Sequence, residues 1–417
     1  MHLIRPFAGL RPASGRAAEV IAPPYDVLST DEARARAAGK PWSFLRISKP
    51  EIDLPAGTDP YAPQVYAKAA ENLGLMSSAG ILVRDPARCY YVYRLIMGGH
   101  TQTGLVAAAS VADYDSNRIR KHEFTQPDKE NDRVRQIEAL NAQTGPVLLA
   151  YPDAPEIDDI LARCSAGAPD ADATADDGIR HTLWMVRDAE IQARLTLAFD
   201  AMPALYIADG HHRSAAASRV AAARRSADPR HTGEENYNYF LTVIFPYRQL
   251  QILAYNRVVA DLNGMDAGAF LARVRESFSV EKSPAPVKPA RPAEFGLYLT
   301  GQWYRMALRR ELIPAGNPVA RLDVSLLSDR LLGPVLGITD LRGDKRIEYV
   351  GGIRGLPELE KRVNSGGMAA AFALHPTRME DLMSVADAGE VMPTKSTWFE
   401  PKLADGLVSH VLDSTDG

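Results

Sequence analysis

Cysteine is almost absent from this sequence, whose 417 residues include only Cys89 and Cys164. Two cysteines exclude a disulfide framework and a zinc site built from thiolates, and they are typical of a protein in a reducing compartment. No apolar run approaches the roughly 18 residues that a membrane helix needs. The N-terminal residues also lack an apolar signal core, and prolines interrupt them. We therefore expect a cytoplasmic protein without a membrane partner.

The sequence also lacks an excess of basic residues. Its formal net charge is -4 at pH 7. Non-specific nucleic-acid binding depends on a basic surface that releases counterions, so this charge makes nucleic acid an unexpected partner. The composition, 46% hydrophobic and 24% charged residues, is that of an ordinary globular protein. A chain of this length predicts two or three domains.

Helical and strand-like segments are mixed along the chain, which predicts an α/β, or α+β, fold. We predict strands at 89–95, 147–151 and 204–208, and helices at 65–79 and 130–142, from β-branched and aromatic runs and from helix stop signals.

The predicted domains are an N-terminal extension over 1–85, a core over 86–282 and a C-terminal α/β domain over 294–417. A surface insertion at 152–200 interrupts the core, because its first part is rich in Asp, Ala and Pro. The proline-rich segment between 282 and 294 is the predicted linker. Near the N-terminus, Pro23-Pro24-Tyr25-Asp26 has a fixed extended backbone and forms either a lead-in loop or the rigid wall of a pocket.

The segment Asp209–Arg213, with the sequence DGHHR, directly follows the buried strand predicted at 204–208. Gly210 lets the backbone turn tightly and approach a ligand. The alanine-rich run from Ser214 predicts a helix, whose unpaired N–H groups and dipole attract an anion. The alternative is that the histidines only pack and that Asp209 caps the helix.

The side chains of this segment also suit phosphate. Arg213 offers a planar fork for phosphate oxygens, while His211 and His212 can donate hydrogen bonds or move protons. Asp209, at the end of its strand, can hold a magnesium ion. A zinc site is a further alternative, but two adjacent histidines do not share one helical face.

Two other clusters stand out. In Lys121-His122-Glu123 a carboxylate flanked by cations would stay ionised and could act as a base, although the stretch also reads as a solvated charge run. In Lys395-Ser396-Thr397 a lysine beside two hydroxyls could bind a carboxylate or phosphate, and the alternative is a turn with satisfied hydroxyls.

In their order along the chain, the three clusters resemble those of the free serine kinases of the ParB/sulfiredoxin-like superfamily. Almost the whole chain also resembles a large bacterial and archaeal family of formerly unknown function that includes diphosphate-dependent serine kinases. The resemblance implies a ParB-like core and a kinase that transfers phosphate from pyrophosphate, ADP or ATP to free L-serine, giving O-phospho-L-serine. L-serine and the phosphate donor are then the partners, Mg²⁺ is the cofactor, and a homodimer is left open.

The resemblance also implies roles for individual residues. It implies three catalytic residues, five that bind the donor, four that bind serine and one metal ligand. The catalytic residues are Glu123, Asp209 and His212; the donor-binding ones are Gly210, His211, Arg213, Lys121 and His122; the serine-binding ones are Thr144, Lys395, Ser396 and Thr397; and the metal ligand is Asp209.

Two other functions compete with the kinase. One is a ParB-like nucleotide-binding switch that clamps DNA, which the acidic net charge and the lack of a recognisable helix-turn-helix oppose. The other is a metal-dependent phosphohydrolase that uses Asp209 and the histidines.

Overall fold

A computed structural model of the protein describes residues 2–413. The chain forms two compact units: the first contains the residues up to Leu250 and those from Pro401 onward, and the second spans Gln251–Glu400. This division departs from the predicted boundaries. The proline-rich segment expected to be a linker lies inside the second unit, because Val287 is buried in that unit's core.

The strands are numbered in chain order through both units. In the first unit they are β1 (Ile4–Arg5), β2 (Gly9–Pro12), β3 (Leu82–Arg84), β4 (Tyr90–Met97), β5 (His100–Ser110), β6 (Ile119–Arg120), β7 (Ala142–Gln143), β8 (Val147–Tyr151), β9 (Ala171–Thr174), β10 (Arg180–Val186), β11 (Leu205–Asp209) and β12 (Tyr239–Pro246). The second unit has β13 (Gln251–Leu253), β14 (Tyr255–Val259), β15 (Phe278–Ser283), β16 (Glu294–Leu299), β17 (Gln302–Leu308), β18 (Ile347–Gly351), β19 (Ala370–Leu374) and β20 (Trp398–Glu400). The chain then returns to the first unit with β21 (Ser409–Val411).

The helices follow the same numbering. In the first unit they are α1 (Ala17–Val20), α2 (Thr30–Ala37), α3 (Leu45–Ser48), α4 (Pro63–Ser78), α5 (Val111–Asp115), α6 (Pro127–Leu140), α7 (Pro155–Cys164), α8 (Ala189–Asp200) and α9 (His211–Ala227). The second unit has α10 (Ala267–Arg275), α11 (Asp323–Leu327), α12 (Gly355–Asn364) and α13 (Met379–Asp387). Within residues 2–413 no helix is long and apolar enough to cross a membrane.

A mixed nine-stranded sheet forms the centre of the first unit. Its strand order is β6-β11-β8-β12-β5-β4-β10-β9, and β1 pairs with β5. The pairs β6–β11 and β8–β12 are parallel and the others are antiparallel. The segment expected to be a surface insertion instead extends this sheet. Its strand β10 pairs with β4, and the side chains of Leu183 and Trp184 on β10 are buried.

Two hydrophobic clusters stabilise the first unit. The larger one joins sheet residues such as Tyr90, Leu149 and Ile207 to side chains of α7, α8 and α9. The second lies in the N-terminal region, where Phe44 and Leu73 are among its buried members. Each fully buried side chain of this size contributes about 1.5–3 kcal/mol, so the strand ends are held by a well-anchored frame.

Alanine gives α9 its close packing. Three consecutive alanines after Ser214 are buried, and Ala216 and Val220 pack against Ile137 of α6 and Leu412. Small side chains bring the two helices close while favouring helix formation. The helix begins at His211, earlier than the alanine run predicted.

The second unit is built on a six-stranded antiparallel sheet of order β15-β17-β16-β19-β14-β18, beside a two-stranded β13–β20 pair. Val258, Trp303 and Leu359 are among the residues of its core. Together the two units confirm the predicted α+β class.

Candidate active site

The parallel pairing of β6 with β11 brings two polar segments together. Ile119 pairs with Leu205 and Arg120 with Tyr206, so both strands end at the same edge of the sheet. The loop 121–126 and the segment Asp209–Arg213 start there. The register of β11 shifts near its end, as strands often do beside functional sites.

The two adjacent histidines fix opposite ends of the loop 121–126. The backbone N–H of His122 donates to Nε2 of His211 at 3.3 Å, and that of Gln126 donates to Nε2 of His212 at 3.0 Å. Burial lowers the pKa of His211 well below its usual value and also lowers the pKa of His212, so both rings are neutral acceptors near pH 7. The segment Asp209–Arg213 thus shapes the loop that carries Glu123.

Glu123 lies next to His211. Its Oε2 is 3.7 Å from Nδ1 of His211, and 55% of its side chain is exposed. His122 packs edge-on against His211, with ring centroids 4.4 Å apart. Burial lowers the pKa of His122 to about 4, and its Nδ1 has no hydrogen-bond partner within residues 2–413. An accessible carboxylate therefore stands beside two buried, neutral imidazoles.

Asp209 is held between two cations. Its Oδ2 is 3.4 Å from Nη2 of Arg213 and 3.6 Å from Nζ of Lys402. Burial alone would favour the neutral acid, but Lys402 and Arg213 outweigh it and lower the pKa of Asp209 to about 2. No sequence motif marked Lys402, which comes from the C-terminal return of the chain to the first unit.

Gly210 adopts the conformation for which the sequence required glycine. It precedes α9 with φ of +104°, and a Cβ at this position would lie 3.0 Å from Nε of Arg213. Gly210 has no side chain that could cap the helix, so the first N–H groups of α9 lack the usual side-chain acceptor.

Arg213 turns from this segment toward Thr144 and Gly145. Its Nη1 donates to the carbonyl of Pro146 at 2.6 Å, and a Cβ on Gly145 would lie 3.3 Å from its Cδ. Arg213, Thr144 and Gly145 line a cavity of about 30 Å³. Tyr25 also lines it, which favours the second interpretation of the Pro-Pro-Tyr-Asp segment, a pocket wall.

Two further charged residues line this cavity and were missed by the sequence analysis. Asp405 is only 2% exposed, and burial raises its pKa to about 7 although Arg213 opposes the shift. The guanidinium of Arg133 lies 3.7 Å from the ring centroid of Tyr25 and pairs with Asp132. Both residues stand outside every motif, and only the fold brings them here.

The side chain of Lys121 lies against an aromatic ring. Its Nζ lies 4.0 Å from the ring centroid of Tyr114, and burial lowers its pKa. The donor-binding role of Lys121 stays a prediction.

The cluster Lys395-Ser396-Thr397 lies in the second unit. Oγ of Ser396 donates to the carbonyl of Pro393 at 2.5 Å, and the carbonyl of Lys395 accepts from Nη2 of the buried Arg257 at 2.9 Å. Lys395 has φ of +59° and an exposed side chain. The serine hydroxyl is therefore satisfied within its own turn, and the serine-binding role of this cluster stays a prediction.

Three side chains lie close enough to hold a metal ion. Ligand atoms of His122, Glu123 and His211 are all within 4.8 Å of one another. The sequence analysis tested His211 only with its neighbour His212 and so missed this set. Since Nε2 of His211 accepts an N–H, its neutral ring carries its proton on Nδ1. A metal ion bound to His211 would have to displace that proton or that hydrogen bond.

Comparison with known proteins places the chain among proteins without an assigned activity. Residues 4–325 match the model of a family described as "Protein of unknown function (DUF1015)". No curated protein matches the chain.

Several solved structures resemble it weakly, and each alignment covers 72% of this chain. A free serine kinase in complex with AMP is 14% identical over 92% of its own chain, with a TM-score of 0.34. A conserved hypothetical protein from Pyrococcus furiosus is 15% identical over 95%, with a TM-score of 0.33. C-terminally truncated SbnI from Staphylococcus aureus is 10% identical over 85%, with a TM-score of 0.36.

Proposed function

We propose a phosphotransferase activity for this chain, which belongs to the DUF1015 family of proteins of unknown function. The enzyme transfers a phosphoryl group from pyrophosphate, ADP or ATP to the hydroxyl of free L-serine. One observation carries the proposal: Glu123 stands beside the uncapped start of α9, on a loop that is fixed by the same Asp209–Arg213 segment.

The start of α9 is the donor half of the proposed site. α9 has 17 residues, so its N-terminal N–H groups and dipole favour a phosphate group. Arg213 and Lys402 add positive charge around Asp209. Phosphoryl transfer needs positioning and charge neutralisation more than covalent chemistry, and these groups provide both.

Asp209 fits a magnesium ion. Its carboxylate is ionised, and Mg²⁺ in phosphoryl-transfer sites is commonly bound by one or two carboxylates together with substrate phosphates. Asp209 would hold the ion, which would neutralise charge on the donor oxygens.

Glu123 is the proposed general base. It accepts the serine hydroxyl proton while the serine oxygen forms its bond to phosphorus and the bond to the donor's bridging oxygen breaks. The products are O-phospho-L-serine and phosphate, AMP or ADP, according to the donor. Neutral His211, whose Nδ1 faces Glu123, orients the carboxylate without competing for the proton. Serine as the acceptor comes from the motif resemblance.

An assay of Glu123→Gln tests the proposal. Purified protein is incubated with Mg²⁺, L-serine and pyrophosphate, ADP or ATP in turn, and phosphoserine is measured. We expect Glu123→Gln to lower turnover about 100- to 10,000-fold, the usual contribution of a general base, while donor binding is kept. Glu138→Gln, which removes only a surface pairing with Arg224, is the matched control. Unchanged turnover in Glu123→Gln would remove this residue as the base, and no phosphoserine with any donor would reject the serine kinase.

A metal-dependent phosphohydrolase is the second candidate, and the cluster of His122, Glu123 and His211 favours it. The same assay separates the two functions. A hydrolase consumes the donor without serine and loses this activity in His122→Ala, because Nδ1 of His122 is the one buried ring nitrogen of the cluster without a partner in the described chain. Serine-dependent turnover that persists in His122→Ala excludes it.

A further inference from the structure

The cavity beside Arg213 contains a buried carboxylate oxygen with nothing to bind. Oδ1 of Asp405 has no hydrogen-bond partner in the described part of the chain. A buried polar atom left unpaired costs about 1–3 kcal/mol, so such an atom calls for an explanation, such as a ligand that pairs with it.

The position of Asp405 is fixed by backbone pairing. Its N–H donates to the carbonyl of Ala22 at 2.9 Å, and its carbonyl accepts from the N–H of Ala22 at 3.1 Å. Gly145 leaves the cavity open on this side, because a Cβ there would lie 3.5 Å from Oδ1 of Asp405 and 3.3 Å from Cδ of Arg213. The carboxylate and the guanidinium thus share one small space.

The charges around this cavity select against simple ions. Arg133 and Arg213 line it together with Asp405, Tyr25 and Thr144. A metal cation alone would leave the two guanidinium groups without an anionic partner, and a phosphate alone would leave the carboxylate without a cationic one. An α-amino acid carries both charges on neighbouring atoms and complements both.

The size of the cavity sets a second limit. A bound water needs roughly 10–15 Å³, so about 30 Å³ holds two water-sized groups. That space accepts an ammonium group and its carbon, leaves the carboxylate of an amino acid at the edge of the cavity, and excludes a nucleotide.

We propose that this cavity binds the ammonium group of a small α-amino acid on Asp405, with Arg133 and Arg213 toward its carboxylate. The inference rests on the proposed function, since it names the site in the first unit that recognises the acceptor. Asp405 is then a specificity-determining residue that distinguishes an amino acid from a hydroxy acid.

Binding and turnover of the full chain test this inference. L-serine binding is measured by titration calorimetry in wild type, Asp405→Asn and Gly145→Ala. The probe is L-glycerate, which keeps the side-chain hydroxyl, the carboxylate and the configuration of L-serine but has a hydroxyl in place of the ammonium group. We expect wild type to prefer L-serine over L-glycerate by at least about 10-fold, the loss that a site built for a polar group imposes on an analogue lacking it. Both variants should weaken L-serine binding by a similar factor, one by removing the charge and the other by filling the cavity.

Asp323→Asn is the matched control, because Oδ2 of Asp323 in the second unit is also buried without a hydrogen-bond partner in the described residues, and this variant should bind L-serine like wild type. Gly145→Ala keeps the test decisive if Asp405→Asn does not fold. Equal binding of L-serine and L-glycerate by wild type, or wild-type affinity in both variants, would overturn the inference. L-serine binding without phosphoserine formation would reject the proposed function while supporting this site.

Discussion

Two polar segments of the molecule, Asp209–Arg213 in the first unit and residues 393–397 in the second, differ in how their polar groups are paired. In the second, the hydroxyl of Ser396 and the carbonyl of Lys395 are satisfied by Pro393 and Arg257. In the first, the histidines bind another loop, while Asp209 and the start of α9 remain available for a ligand. A polar segment therefore indicates a site only when its neighbours leave polar groups available to a ligand.

The largest expected effect is on the pH dependence of stability, and it involves one buried carboxyl in each unit. Burial raises the pKa of both Asp405 and Asp323 to about 7, above the ordinary 3.8. The folded state thus holds these two protons more tightly than the unfolded state, so the stability that each carboxyl contributes should be lost as the pH rises from about 4 to 7. The buried imidazoles of His122, His211 and His212, whose pKa burial lowers, contribute in the opposite direction below about pH 6.5. For Asp405 the loss is at most about 4 kcal/mol.

Urea unfolding between about pH 4 and 8 measures this effect. The histidine contribution is common to wild type and variants, so each variant is compared with wild type at every pH. From about pH 4 to 7 the difference in unfolding free energy should shift in favour of Asp405→Asn and of Asp323→Asn, and by the largest amount for the double variant. A difference between Asp405→Asn and wild type that stays constant over this interval would show that Arg213 and Arg133 keep Asp405 ionised.

The second effect is on turnover and stability when a glycine is replaced, either Gly210 within the first segment or Gly389 shortly before the second. Gly210→Ala places a Cβ against Arg213 at φ of +104°, so we expect about 1–2 kcal/mol of strain and roughly 100-fold lower phosphoserine formation, because the donor half shifts. Gly389 also has a positive φ, but in the described part of the chain only its immediate neighbours lie within 4 Å of the position that a Cβ would take. Gly389→Ala should therefore lower the melting temperature similarly and leave turnover unchanged. Equal turnover losses would mean that both segments serve the reaction.

The smallest effect concerns Ser396. Ser396→Ala removes the hydrogen bond to Pro393 and should cost about 1 kcal/mol in thermal unfolding, with less than about a twofold change in the KM for L-serine. A rise in KM of about tenfold, equivalent to a lost contact of roughly 1.4 kcal/mol, would restore the predicted serine-binding role of Lys395-Ser396-Thr397.

Local elements were the predictable part of this fold. The strand expected at 147–151 is β8, and the helices expected at 65–79 and 130–142 agree with α4 and α6 within three residues. Their apolar patterns, prolines and stop signals act within a few residues. The domain boundaries were less predictable, because Val287 makes a proline-rich segment part of a core and the chain returns to the first unit from Pro401 onward.

By itself the sequence determined the chemistry of Asp209–Arg213: a strand, a glycine that turns the chain, and a helix that starts beside charged side chains. Only the tertiary structure decided what surrounds it. The parallel pairing of β6 with β11 set Glu123 against His211, and the return of the chain placed Lys402 beside Asp209 and Asp405 beside Arg213. Backbone conformation is governed by near neighbours and can be read along the chain, whereas burial and charge pairing depend on residues that are distant in sequence and meet only on folding.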